Sequence, residues 1–155
     1  MKPNRNTPKV VIKNNQKRIT VTGAFLKSIG SAVKQTFLNR PLSSKGTITI
    51  ALVNDKVIRE LNLLYLGEDS PTDVLSFNIE RDKHRGILVA DIIISTDTAV
   101  KNAKIYGTTA KNELLLYVIH GSLHLLGYND NSMKKRNIME KEAYRILSTI
   151  NHANS

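Results

Sequence analysis

The segment from Thr109 to Leu126 restricts the possible folds of this chain more than any other part of its sequence. Apolar residues surround it on nearly every side when it is drawn as a helix: Leu114, Leu115, Leu116, Val118, Ile119, Leu123, Leu125 and Leu126. A helix that is apolar all round must be covered by other elements. Its longest apolar run, Leu114 to Ile119, is far too short to cross a bilayer. We therefore expect this helix in the middle of a globular domain.

The remaining segments predict elements that can cover it. Apolar residues at helical spacing predict four further helices, over 23–38, from Asn54 to Gly67, over 96–104 and over 132–150. Alternating or β-branched runs predict four strands, over 10–12, 47–53, 74–77 and 87–95. Residues 1–8 look like a flexible basic tail, and 80–86 is charged and turn-like. The expected fold is α+β (mixed α/β), one domain over 1–155 with a small, mostly parallel four-stranded sheet flanked by helices.

The charge balance favours a polyanionic partner. The 155 residues include 23 Lys and Arg against 13 Asp and Glu, a net charge of +10. Binding to RNA would be driven by counterion release, although a basic protein without a nucleic-acid role remains an alternative. Because the first residues are polar and no apolar run follows them, we expect no signal peptide and a cytoplasmic location.

Two histidines interrupt the apolar helix. His120 and His124 are four residues apart, which places both imidazoles on one face, one turn from each other. A divalent cation between them would satisfy both rings. Since the chain has no cysteine, any further ligand must be His, Asp or Glu.

Asp130 is the candidate for the third ligand. Gly127 suits the left-handed conformation that ends a helix, after which the chain can turn back and bring Asp130 to the same ion. Three protein ligands leave a fourth position open, as in catalytic zinc sites. The alternative is a pair of core histidines bound to backbone carbonyls, with Asp130 capping the last helix.

The spacing is also that of the metzincin proteases, His-Glu-x-x-His-x-x-Gly-x-x-His. Gly121 stands where those enzymes carry the glutamate that acts as general base. A metalloprotease is therefore a less favoured alternative, because the metal ligands remain while the protease base is absent.

Several blocks together resemble the YbeY endoribonuclease family, a group of bacterial rRNA maturation factors. Residues 62–77 (NLLYLGEDSPTDVLSF) resemble one conserved block of that family, and 91–95 (DIIIS) resemble a strand of it. Residues 120–128 resemble its His-Gly-x-Leu-His-Leu-x-Gly-Tyr signature, and Met139 and Glu142 match its final helix. The blocks occur in the family order.

The resemblance implies a zinc-dependent endoribonuclease that cleaves single-stranded RNA in rRNA maturation and ribosome quality control. It implies one Zn²⁺ per chain, with His120, His124 and Asp130 as metal ligands and catalytic residues. The expected partners are single-stranded rRNA, the small ribosomal subunit and possible ribosomal proteins, with neither membrane nor DNA. A non-catalytic assembly factor, in which zinc only joins the last two helices, is the main alternative.

This chain departs from the family pattern at three positions. Asp130 replaces the usual third His, which would lower the positive charge of the site and shift its preference toward harder cations. Leu66 replaces an Arg that would contact phosphate, and this change favours the assembly-factor alternative. Ala90 replaces a Gly, which we regard as minor.

Other residues remain secondary candidates. Asp73, in the block with Thr72 and Ser76, would either orient a ligand histidine or cap a turn. Arg59, Lys111 and Arg85 are candidate contacts to the RNA backbone. His84 and His152 are expected to be surface histidines.

Overall fold

The computed structural model describes residues 7–38, 45–82 and 84–153. Its strands are β1 (Lys9–Asn14), β2 (Lys45–Val53), β3 (Val74–Asp82) and β4 (Ile87–Ser95). Its helices are α1 (Gly23–Phe37), α2 (Asp55–Leu66), α3 (Thr96–Tyr106), α4 (Ala110–Leu125) and α5 (Met133–Ala153). Most of the predicted flexible tail, residues 1–6, lies outside the described part, while Pro8 is buried at the start of β1.

The sheet has the strand order β1-β2-β4-β3. β1 and β2 are parallel, as are β2 and β4, whereas β3 runs antiparallel to β4. The four-stranded, mostly parallel sheet of an α+β domain is thus confirmed. The prediction of a turn over 80–86 was partly wrong, because Glu80–Asp82 continue β3 after an irregularity at Asn78/Glu80. An edge strand tolerates such charged residues, since one of its edges is open to solvent.

The helix boundaries follow from their capping residues. Four helices begin with a side chain that accepts a hydrogen bond from a backbone N–H of the first turn. These capping residues are Thr22 for α1, Asn54 for α2, Ser95 for α3 and Thr109 for α4. Gly67 and Gly107 end α2 and α3 in the left-handed conformation, with φ of 73° and 67°. The predicted helix ends at Asn54 and Gly67 are therefore confirmed.

Helix α4 is the central element of the domain, as its sequence predicts. It contacts α1, α3 and α5 as well as β3 and β4. Its buried residues form one core cluster with α1, with the sheet face formed by β2 and β4, and with α5. Helix α2 packs on the other side in a smaller cluster built around Val53, Ile58 and Leu75. Among the described residues, no helix is long and apolar enough to span a membrane.

Candidate functional site

His120 and His124 both line a cavity of about 290 Å³ between α4, the start of β3 and α5. The same cavity is bordered by Asp130, so the structure brings all three predicted ligand residues to one place. The complete set of lining residues is Thr72, Asp73, Val74, His120, His124, Asp130, Arg136, Met139 and Glu140. This arrangement depends on α4, because both histidines lie on this central helix.

His120 has an unmatched polar atom. Its Nε2 is buried and has no hydrogen-bond partner among the described residues. Burial lowers the pKa of His120 below its ordinary value, while the carboxylate of Asp73 opposes this shift and His124 adds to it. The neutral imidazole is the form that binds a metal ion. A buried nitrogen without a hydrogen-bond partner costs stability. A bound cation would remove this cost by accepting the nitrogen's lone pair.

His124 is oriented by the turn that follows α4. Its Nδ1–H donates to the backbone carbonyl of Tyr128 at 3.1 Å, which leaves Nε2 as the nitrogen with a free lone pair. Gly127 makes this turn possible with a φ of 99°, as the sequence predicts. The backbone N–H of Tyr128 in turn donates to the carbonyl of Leu123 at 3.1 Å. A histidine held in this way matches the usual arrangement of a metal-binding imidazole.

Asp130 does not cap the last helix. The hydroxyl of Ser132 accepts the hydrogen bond from the backbone N–H of Lys135 at 3.2 Å, and the Ser132 carbonyl accepts from Arg136 N–H at 2.9 Å. Asp130 is exposed and lines the histidine cavity instead. The alternative of two satisfied core histidines with a capping Asp130 therefore fails at Asp130 and at the unpartnered Nε2 of His120. The contact of His124 with the Tyr128 carbonyl is the one part of it that the structure contains.

The described side chains do not form a complete set of metal ligands. Within 7–38, 45–82 and 84–153, no three His, Asp or Glu side chains are arranged so that they could hold a metal ion. The two histidines fit a metal by their chemistry, whereas Asp130 borders the cavity without completing a three-ligand group. The side chain of His152, which is expected at the surface, lies outside the described residues. The zinc triad thus stays a prediction.

Gly121 faces the sheet rather than the cavity. A Cβ at this position would lie 2.7 Å from Ile92 Cγ2, 3.0 Å from Ser76 Oγ and 3.1 Å from Val74 Cγ2. The Ser76 hydroxyl donates to the Gly121 carbonyl at 3.0 Å and holds α4 against β3. The missing protease glutamate therefore has a structural reason, because a side chain here would enter the packed interface between helix and sheet.

Asp73 lies at the entrance to β3 and has a local and an electrostatic role. Its Oδ1 accepts hydrogen bonds from Val74 N–H at 2.8 Å and from the Thr72 hydroxyl at 3.3 Å, which fixes the turn before the strand. Its charge also favours the protonated form of His120. Of the two roles considered from the sequence, the turn cap is therefore present. No hydrogen bond from a histidine ring to Asp73 is found in the described part of the chain, so a role in orienting a ligand histidine stays a prediction.

The three basic residues chosen from the sequence lie elsewhere. Arg59 pairs with Asp69 at 2.8 Å, and Arg85 pairs with Asp82 at 2.9 Å. The Lys111 ammonium lies 5.8 Å from the centroid of the Phe25 ring. None of the three lines the histidine cavity. His84 is exposed beside the turn between β3 and β4, as expected.

Arg136 and Glu140 are the cavity residues that the sequence reasoning missed. They lie four residues apart on one face of α5. That spacing was visible in the sequence, but the direction in which the face points depends on how α5 packs on α4. Leu66, by contrast, is 60% exposed at the end of α2 and does not line the cavity.

Comparisons with known proteins identify the family. The family model described as Endoribonuclease YbeY matches residues 11–151. An Endoribonuclease YbeY of Carboxydothermus hydrogenoformans is 37% identical over 139 residues, which cover 90% of this chain and 95% of that protein. The Endoribonuclease YbeY of Syntrophomonas wolfei is 32% identical over 149 residues, with 90% and 96% covered.

A solved structure supports the same fold. The solution structure of a Thermotoga maritima protein superposes with a TM-score of 0.61 at 24% identity and covers 94% of this chain and 93% of its own. The family match extends from β1 into α5 and includes both histidines. The resemblance stated from the sequence is confirmed: this chain belongs to the YbeY endoribonuclease family.

Proposed function

We propose that this protein is a zinc-dependent endoribonuclease that cleaves single-stranded RNA in the maturation of ribosomal RNA and in ribosome quality control. One zinc ion would be held by His120, His124 and Asp130. The observation that carries the proposal is the buried, unpartnered Nε2 of His120, which lies beside a second oriented histidine. The family relationship supplies the substrate class. The partners would be ribosomal particles in the cytoplasm, in particular the small subunit and its proteins.

The charge of the cavity supports a bound cation. Three carboxylates line it, those of Asp73, Asp130 and Glu140, against the single guanidinium of Arg136. An RNA phosphate would be repelled by this surplus of negative charge. A divalent ion between the histidines would offset this negative charge, so that the cavity attracts a phosphodiester. At longer range, the positive net charge of the whole chain attracts RNA as well.

Each of the chain's own groups has a definite task in this mechanism. Zinc, when bound, supplies a Lewis acid for phosphodiester cleavage. Tyr128 holds the His124 ring through its carbonyl, and Asp73 stabilises positive charge near His120. Arg136 would bind a phosphate oxygen. The Glu140 carboxylate, one turn away, would accept the proton of the attacking water or RNA 2′-hydroxyl and return it to the ribose oxygen that departs as its P–O bond breaks.

Arg136 is well placed to hold the phosphate. Among the described residues it forms no ion pair, unlike Arg59, Arg85 and Arg145. Its guanidinium is therefore not held in a direct ion pair with a carboxylate before RNA arrives.

Replacing Arg136 by Ala is expected to raise the KM for a single-stranded RNA substrate by about tenfold, because one charge-assisted phosphate contact is lost. Arg136→Lys should keep part of the affinity, since a lysine retains the charge without the planar fork. Steady-state kinetics on a labelled oligoribonucleotide would measure both variants. Arg85→Ala is the matched control, because it removes the same charge outside the cavity; an equal loss in that control would refute a specific role for Arg136.

The activity itself is tested by supplying the zinc-loaded protein with three substrates of one sequence: single-stranded RNA, duplex RNA and single-stranded DNA. Cleavage is expected for the first alone, with internal cuts that identify an endonuclease. Degradation from an end, or equal cutting of DNA, would contradict the proposal.

One observation favours a second function, a zinc-stabilised assembly factor without catalysis. Leu66 offers no phosphate contact at the end of α2. Removal of zinc by a chelator distinguishes the two functions. Removal of a structural zinc should lower the melting temperature strongly. Removal of a catalytic zinc should abolish cleavage with only a small change in the melting temperature.

A further inference from the structure

A second cavity of about 490 Å³ adjoins the histidine cavity. The two share three residues: Asp73, His120 and Glu140. The second cavity extends away from the histidines between α3, α4 and α5. Its volume lies within the roughly 300–1,000 Å³ of small-ligand sites. A group bound in it would therefore lie directly beside whatever reacts at the histidines.

Two tyrosine rings border this cavity and are open to solvent. Tyr106 at the end of α3 is 69% exposed, and Tyr144 on α5 is 57% exposed. In the described part of the chain neither ring packs on another aromatic ring, whereas Tyr65 packs on Phe77 with centroids 5.2 Å apart. Exposed rings at the rim of a cavity provide flat surfaces on which a planar partner can stack.

The inner wall of the cavity is polar and ordered. The Asn102 amide Nδ2 donates to the Tyr117 hydroxyl at 2.8 Å, and the Thr108 hydroxyl donates to Glu113 Oε1 at 2.7 Å. Glu113 is almost completely buried. The side-chain amide of Asn112, which also lines the cavity, has no partner among the described residues. It offers a donor and an acceptor side by side, the pattern that matches the edge of a nucleobase.

We propose that this second cavity binds an unpaired nucleobase of the RNA next to the bond that is cleaved. The base stacks on Tyr106 or Tyr144, and the Asn112 amide contacts its edge. This inference rests on the proposed function, since the RNA substrate comes from there. It also gives a physical reason for single-strand specificity, because a base in a duplex is paired and stacked and cannot enter.

The test uses labelled single-stranded oligoribonucleotides that differ only in the position of one abasic residue. For the wild-type protein, removing the base at one position beside the cleaved bond should lower kcat/KM about tenfold, the effect of losing one stacked base. Tyr106→Ala and Tyr144→Ala should lower kcat/KM on the intact RNA. For at least one of these variants, kcat/KM on the abasic RNA should be close to its value on the intact RNA, because the ring on which the base would stack is already absent.

Two controls make the result specific. Ile105→Ala removes an equally exposed side chain next to Tyr106 but outside the cavity, and it should keep the wild-type dependence on the base. Tyr106→Phe and Tyr144→Phe should restore activity, because each keeps the aromatic ring. Binding of the same oligonucleotides is measured by fluorescence anisotropy with zinc present, so that affinity is known independently of cleavage.

The outcomes separate this inference from the proposed function. Cleavage with the expected base dependence and its loss in the tyrosine variants supports the inference. Cleavage or binding that does not depend on any flanking base, or that both tyrosine variants leave unchanged, overturns it while the endoribonuclease proposal stands. Absence of both cleavage and RNA binding overturns the two together.

Discussion

Replacing His124 by alanine is expected to remove bound zinc and RNA cleavage together. The wild-type protein should retain about one zinc per chain after dialysis, while the variant should retain almost none. Loss of a residue that merely orients a metal ligand already costs about 10- to 100-fold in metal affinity or activity, so loss of the ligand itself should exceed that range. Elemental analysis and cleavage of single-stranded RNA, measured on the same samples, would check this.

The folded state should survive this substitution, which keeps the result interpretable. His124 is only partly buried, and its ring donates a hydrogen bond to the Tyr128 carbonyl. His84→Ala is the matched control, because it removes an exposed histidine far along the chain from the cavity. If His124→Ala cleaves RNA at the wild-type rate, or if His84→Ala loses zinc equally, the proposed zinc site is wrong.

Asp130 allows the third position to be examined in the same experiment. Asp130→His should shift metal preference from manganese toward zinc, because imidazole is a softer ligand than a carboxylate. Asp130→Ala should weaken zinc binding. Competition between the two metals, measured on each variant, would show whether this residue is a ligand at all; equal preferences in all three proteins would exclude it.

The elements of the fold could be predicted because their signals are local. Asn54 and Gly67 delimit α2, and both act through hydrogen bonds or backbone conformations within one turn of the helix. The central position of α4 followed from its composition, since an apolar surface on every side has to be covered. The end of β3 was missed because its charged residues are tolerated only at a sheet edge, and strand order is not a local property.

The candidate site could be predicted in part for the same reason. His120 and His124 share one helical face, so their proximity follows from helix geometry alone. Arg136 and Glu140 come from α5, and their approach depends on the packing of two helices that no local pattern specifies. The basic residues chosen from the sequence as RNA contacts do not line the cavity. Sequence alone does not show which of them is already paired with a carboxylate, as Arg59 is with Asp69.

Gly121 should be intolerant of any side chain, although a glycine inside a helix normally costs stability. Gly121→Ala gains about 1 kcal/mol of helix propensity. The new methyl group would lie 2.7 Å from Ile92 Cγ2. Overpacking of this kind typically costs about 1–3 kcal/mol. Ile92 has little freedom to move, because it is β-branched and fully buried in the interior strand β4. We therefore expect a net loss in the free energy of unfolding.

Gly121→Glu, which would recreate the protease motif, should lose roughly 4 kcal/mol or more, because it also buries a charge without a partner. A loss of this size corresponds to a fall in melting temperature of about 2–4 °C per kcal/mol. Thermal unfolding followed by circular dichroism would measure both variants, and no peptide hydrolysis should appear in Gly121→Glu.

The matched control for Gly121 is Gly30, which lies in the middle of α1. A Cβ at Gly30 would meet nothing within 4 Å, so Gly30→Ala should raise the melting temperature through helix propensity alone. Opposite signs at the two glycines would show that contact with the sheet, rather than backbone freedom, requires glycine after the first histidine. A stabilising Gly121→Ala would instead mean that α4 can move away from Ser76 and Ile92. The two histidines would then lack the rigid support on which the proposed metal site depends.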